Sequence, residues 1–149
     1  MEKIINYFDK FNYDCVDLTD ENIEKILNLI DKNEVIETDD IVILDYYGLY
    51  YQTVKNYQLM LEYFKKSIMG GYSQAMFHLG KYYQNVEKNY PLMLKFYELA
   101  VNFKNKYAMN ELGFYYEVYE KNYTKTKKYY TMATKYGSFI SMHNLAEYY

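Results

Sequence analysis

The sequence predicts an all-α fold built as a stacked array of antiparallel helix pairs, an α-α solenoid. Three features predict it. The phrase LGKYYQNVEKNY at residues 79–90 returns nearly unchanged as LGFYYEVYEKNY at 112–123. An echo, YGLYYQTVKNY, precedes at 47–57, and a fragment, LAEYY, follows at 145–149, so Gly48, Gly80, Gly113 and Ala146 share one column at steps of 32, 33 and 33. A period in the low thirties marks supersecondary units that cannot bury their apolar faces alone and stack to do so. The third feature is composition. In 149 residues half are apolar and 21% aromatic, with six glycines and one proline, which gives material for a core and little for long linkers.

Residues 1–38 precede the repeat and are expected to form an acidic helical cap on it. In TDENIEKILNLIDKN, residues 19–33, Thr19 or Asp20 is placed to cap a helix whose Ile23, Ile26, Leu27 and Ile30 share one face. Residues 2–11 are expected to give another helix. The run IVIL at 41–44 has strand-like propensity, but its register with the other copies predicts helix. The repeat domain is placed at 39–149, with units at about 40–71, 72–104 and 105–137 and a partial unit at 138–149.

Within a unit, Met76, Leu79, Gly80 and Tyr83 fall at helical spacing, and Met93, Tyr97 and Ala100 do so after a short polar break. Asn56, Asn89 and Asn122 stand at that break, where an Asn side chain accepts from the exposed N–H groups of the second helix. Pro91 follows Asn89 within the first turn, where its missing N–H costs little. Gly48, Gly80 and Gly113 in the first helix and Ser67, Ala100 and Ala133 in the second are expected to let the two backbones approach. A larger side chain there would hold them apart.

The residues Ala75, Leu79, Gly80 and Tyr83, then Asn89 and Tyr90, then Phe96, Tyr97 and Ala100 resemble the Sel-one-like repeat, a branch of the tetratricopeptide class of helix-turn-helix solenoids. The third unit matches through Ala108, Leu112, Gly113, Tyr116, Asn122, Tyr123, Tyr129, Tyr130 and Ala133. The first unit departs from the pattern, with Tyr47 where Leu and Ile43 where Ala is expected. The loop between the helices of a pair is shorter than the glycine-containing one usual in that family. The resemblance spans roughly residues 40–149 and implies a right-handed superhelix whose first helices line a concave face. The inward positions are then Gln74, Phe77, Lys81 and Gln84 in one copy and Tyr107, Asn110, Phe114 and Glu117 in the next, with Ile140, His143 and Glu147 in the last. In the first copy they are Val42, Asp45, Leu49 and Gln52. Their 3, 4, 3 spacing independently gives one helix face.

Candidates for catalysis are few. His78 and His143 occupy different columns, Cys15 has no evident base partner, and no phosphate-cradling glycine loop, nucleophile elbow or metal motif is present. No enzyme activity, metal or cofactor is expected. The stripe of aromatic and hydrogen-bonding groups suits a peptide or protein segment, and scaffolding is what the resemblance implies. The lysine and asparagine clamp with which some tetratricopeptide proteins hold a terminal carboxylate is not reproduced. The expected function is therefore a non-enzymatic adaptor or scaffold.

Two alternatives stand beside it. Residues 1–45 carry 13 acidic and 4 lysine side chains, a net of −9, and residues 46–149 carry 7 and 13, a net of +6. That asymmetry describes an acidic cap beside a mildly basic solenoid, or an anionic partner for the second part. Single-stranded nucleic acid is the second reading, through lysines among tyrosines, although most of the 23 tyrosines sit in packing columns and no arginine accompanies the 17 lysines. Self-association as a homo-oligomer through the apolar C-terminal helix is the third. The exclusive use of lysine, with abundant Tyr, Asn and Ile, fits an AT-rich genome, as of a protist or a large virus infecting one. A single cysteine fits a reducing compartment, and no signal peptide or membrane-length apolar run is evident, so a cytoplasmic location, host cytoplasm for a virus, is expected.

Overall fold

The computed structural model describes residues 39–148, and the expected cap at 1–38, Cys15 included, lies outside them. Seven helices and no strand occur among the described residues: α1 (Ile41–Thr53), α2 (Tyr57–Met69), α3 (Ser73–Asn85), α4 (Tyr90–Asn102), α5 (Lys106–Val118), α6 (Tyr123–Lys135) and α7 (Phe139–Ala146). Two compact units divide between Ser67 and Ile68.

The described part of the first unit holds α1 and most of α2. IVIL opens α1 as its register predicts, because Asp40 accepts from the N–H groups of Val42 and Ile43 at 3.0 and 3.2 Å and so starts a helix. Ile43, Leu44, Tyr47 and Tyr63 form the core of this pair, with Tyr63 stacked on Tyr47 and Tyr51 at 5.1 and 5.4 Å. Buried Ser67 donates to the carbonyl oxygen of Ile41, tying the end of α2 to the start of α1.

In the second unit α3 packs on α4, α4 on α5, α5 on α6 and α6 on α7, the succession of a helical-repeat array. Met76, Met93, Tyr97, Ala100, Ala108, Leu112 and Tyr116 make its central core. The asparagine caps are observed: Asn89 accepts from Leu92 N–H at 3.2 Å and Asn122 from Lys125 N–H at 3.1 Å. Asn56 does the same in the first unit, from Leu59 N–H at 3.3 Å.

At the glycine column the groups of the second helix that come closest are aromatic rings. A Cβ on Gly80 would stand 2.5 Å from Cδ1 of Tyr97, and one on Gly48 or Gly113 would overlap the ring of Phe64 or Tyr130. Each glycine thus seats an aromatic ring of the second helix, and the ring, not the neighbouring Ser or Ala, is what fills the gap.

Two loop registers have left-handed backbone. Lys55, Lys88 and Lys121, each just before a capping Asn, have φ of 60°, 54° and 53°. Gly71, Lys104 and Gly137 hold the second register, in the turns that follow α2, α4 and α6, at 85°, 63° and 83°. The short loops therefore reach the conformation for which a glycine is usual by placing lysines in it.

Candidate functional site

The stripe expected to face a ligand is built on α3, α5 and α7, and most of its members are engaged in holding these helices together. Gln74 Oε1 accepts from Asn105 Nδ2 at 2.6 Å. Asn105 is buried and also caps α5 by accepting from Ala108 N–H at 3.0 Å, so one side chain fixes the start of α5 and its alignment on α3. Phe77 is half-buried, its ring 5.9 Å from that of Tyr97 and 5.8 Å from that of Tyr107. Lys81 reaches Glu111 at 3.3 Å. On the other side of α5, Asn110 Oδ1 accepts from Ser141 Oγ of α7 at 2.7 Å. Asn105 to Gln74 and Ser141 to Asn110 bridge the same sequence separation, 31 residues, and tie successive first helices.

Gln84 and Glu117 each accept from the second helix of their own pair. Tyr97 OH donates to Gln84 Oε1 at 2.6 Å and Tyr130 OH to Glu117 Oε2 at 2.7 Å. Glu117 takes a second phenol through its other oxygen, from Tyr148 at 2.6 Å. Burial raises the pKa values of Tyr97 and Tyr130 well above the ordinary phenol range, with the Glu111 charge acting the same way on Tyr97 and the Glu117 hydrogen bond and charge on Tyr130. A phenol kept protonated is a reliable donor.

In the first copy of the stripe Asp45 and Leu49 are 1% and 2% exposed, and only Val42 and Gln52 keep part of their surface. The most exposed members lie on α5 and α7: Phe114 is 42% exposed, Ile140 64%, and His143 is exposed as well, while those on α3 are half-buried. The structure thus moves the open part of the stripe from Phe77 toward Phe114.

Spacing on one helix could not reveal the partners that come from the neighbouring helix. Asn105, Glu111 and Ser141 were outside the stripe, and only the capping position of Asn105, just before a periodic apolar run, carries a sequence signal. Among the described residues no three His, Cys, Asp or Glu side chains are grouped as metal ligands would be, and no helix is long and apolar enough to cross a membrane.

No family model matches the chain, and no curated protein matches it. Among solved structures, a Sel1 repeat protein from Oxalobacter formigenes is similar at a TM-score of 0.61 and 19% identity, over 85% of this chain and 98% of that one. The fold is that of a Sel1-like helical repeat.

Proposed function

We propose that the chain is a non-enzymatic interaction scaffold that grips a protein segment on the stripe formed by α3, α5 and α7. One observation carries this reading: on a face where Gln74, Lys81 and Asn110 are spent on bonds between helices, the Phe114 ring is left 42% exposed. A large aromatic group in that position is an anchor of the kind that dominates protein interfaces. Ile140 and His143 extend the accessible area onto α7, and Asn110 lies beside them with its oxygen fixed by Ser141. Gln74, Phe77, Lys81 and Tyr107 continue the stripe as a wall set by Asn105 and Glu111, while Gln84 and Glu117 close it at the phenols of Tyr97 and Tyr130.

The frame bonds make the surface rigid, so a ligand would lose only its own freedom on binding. A peptide selected from a display library against the full chain provides the probe. Phe114→Ala and His143→Ala remove exposed side chains and leave the frame bonds in place. Affinity for the selected peptide is expected to fall by about tenfold or more with Phe114→Ala, the size of an ordinary hot spot. Unchanged affinity in both variants, with helicity intact, would put the binding surface elsewhere.

A further inference from the structure

The repeat register shows where one unit departs from the others. Where α2 has Leu59 and Leu61 and α4 has Leu92 and Leu94, α6 has Lys125 and Lys127. The leucines of α4 are half-buried and the lysines of α6 are exposed. Lys121 and Lys128 are exposed too, and no Asp or Glu occurs between Lys121 and Ala146. Four ammonium groups therefore lie within eight residues of one helix and its leading loop.

Two of them are held by rings. Lys125 Nζ stands 4.6 Å from the centroid of Tyr116, and Lys128 Nζ 5.3 Å from that of Tyr129. The two rings are themselves parallel within 5° and 5.6 Å apart. A ring face attracts a cation through its quadrupole. Unlike the carboxylates that pair with Lys66 and Lys81, it adds no opposing net charge. The arrangement orients charge and keeps it available to an anion. At the two ends of the helix, Tyr123 and Tyr136 are 54% and 45% exposed.

We propose that the exposed surface of α6 and its flanking turns binds single-stranded nucleic acid, with Lys121, Lys125 and Lys128 on phosphates and Tyr123 and Tyr136 against bases. Charge alone would suit any polyanion. The exposed rings decide for unpaired bases, which have faces to stack, over duplex, whose bases are stacked already, and over an acidic peptide, which has none. This site is separate from the stripe on α3, α5 and α7 in residues and in chemistry.

The experiment uses the full chain and a fluorescein-labelled oligouridylate of about a dozen nucleotides, within the usual site size, with anisotropy read at several salt concentrations. Three phosphate contacts predict a slope of log affinity against log salt near −2, from about 0.7 per contact for single strands. Lys125→Gln with Lys128→Gln should flatten the slope to about −0.7, that of the one remaining contact. Tyr123→Ala with Tyr136→Ala should weaken binding about thirtyfold or more at an unchanged slope. Phe114→Ala should leave both quantities alone. Absence of binding at low salt, a slope indifferent to the lysine changes, or displacement by polyglutamate as effective as by unlabelled oligouridylate would each overturn the proposal. Circular dichroism of every variant confirms the helices are retained.

Discussion

The phenol bonds of the second and third pairs predict a stabilising substitution in the first. Gln52, Gln84 and Glu117 stand four residues after Gly48, Gly80 and Gly113. In two of the pairs the acceptor receives a phenol, from Tyr97 at 2.6 Å and from Tyr130 at 2.7 Å. In the first pair the ring on the glycine belongs to Phe64, which has no hydroxyl and is 0% exposed. Gln52 Oε1 is buried there and has no hydrogen-bond partner among the described residues. Phe64→Tyr would put a donor where the other two pairs have one.

A hydrogen bond contributes about 0.5–1.5 kcal/mol net, and a buried acceptor left unmatched costs about 1–3 kcal/mol. Fitting one extra oxygen into a filled core opposes this, because overpacking costs about 1–3 kcal/mol. The other two pairs accommodate that oxygen with the same glycine and the same ring position, so the balance falls near 1 kcal/mol in favour of Tyr. For a chain of this length that is about 2–4 °C in Tm. Urea unfolding followed by circular dichroism measures it, and Gln52→Leu supplies the control. With the acceptor gone, Phe64→Tyr should destabilise, giving a coupling of about 1–2 kcal/mol between the two sites. Tyr97→Phe should cost about 0.5–1.5 kcal/mol, since half-buried Gln84 can turn to water. If Phe64→Tyr lowered stability while Tyr97→Phe left it unchanged, the phenol bond would have no part in holding a pair together.

Three further outcomes follow from the same frame. Lys104→Gly should stabilise by about 0.5–1 kcal/mol in a urea titration, because a left-handed residue with a side chain costs about 1–2 kcal/mol and glycine's extra freedom in the unfolded chain returns part of that. Gly113→Ala should cost about 1–3 kcal/mol by forcing the Tyr130 ring off its seat, and Leu112→Ala about 2–5 kcal/mol through a cavity, since Leu112 is 0% exposed; denaturation of both variants checks the pair. Stability should fall as pH rises above about 10, where phenols of the unfolded chain ionise. Tyr47, Tyr97 and Tyr130 are held protonated by burial, so the folded state keeps protons that the unfolded state loses; their contribution is complete below pH 10 and declines above it, by about 1.4 kcal/mol per pH unit for each. Thermal melts between pH 8 and about 11 should show the loss, less steeply in Tyr97→Phe.

The helix pairs were legible because their signals are local and repeated. Capping asparagines precede each second helix, and Leu79, Leu112, Met93 and Tyr97 recur at helical spacing. Even IVIL was placed by register against its own propensity, since Asp40 caps it and its apolar side chains are wanted inside. The purpose of the glycines was not legible, because the ring that fills each one arrives from another helix 16 or 17 positions on. The same holds for the stripe. Periodicity shows which residues share a side of a helix, but whether Gln84 faces solvent or the phenol of Tyr97 depends on the neighbour's rotamer. Phe77 and Phe114 both read as aromatic members of the stripe, in different columns, yet only Phe77 lies against the rings of Tyr97 and Tyr107.

A repeat also supplies its own reference, because copies that share a role in the frame should share a residue type. On that standard α6 is costly to the frame. It replaces two leucines with lysine and puts Thr126 where α2 and α4 have Met60 and Met93, all three of them 0% exposed. Thr126 meets its polar requirement by donating to the Asn122 carbonyl oxygen at 3.0 Å, but it buries less apolar area than methionine. At about 0.8 kcal/mol for each buried methylene, the helix forgoes stabilisation that its two counterparts keep. An AT-rich base composition, the expectation from the sequence, would favour lysine over arginine. It does not account for choosing lysine over leucine at positions where the neighbouring copies hold leucine. Among the described residues α6 is followed by α7 alone, so a polar outer face at an array end is one reason for its lysines, and the anion contact proposed for that helix is a second.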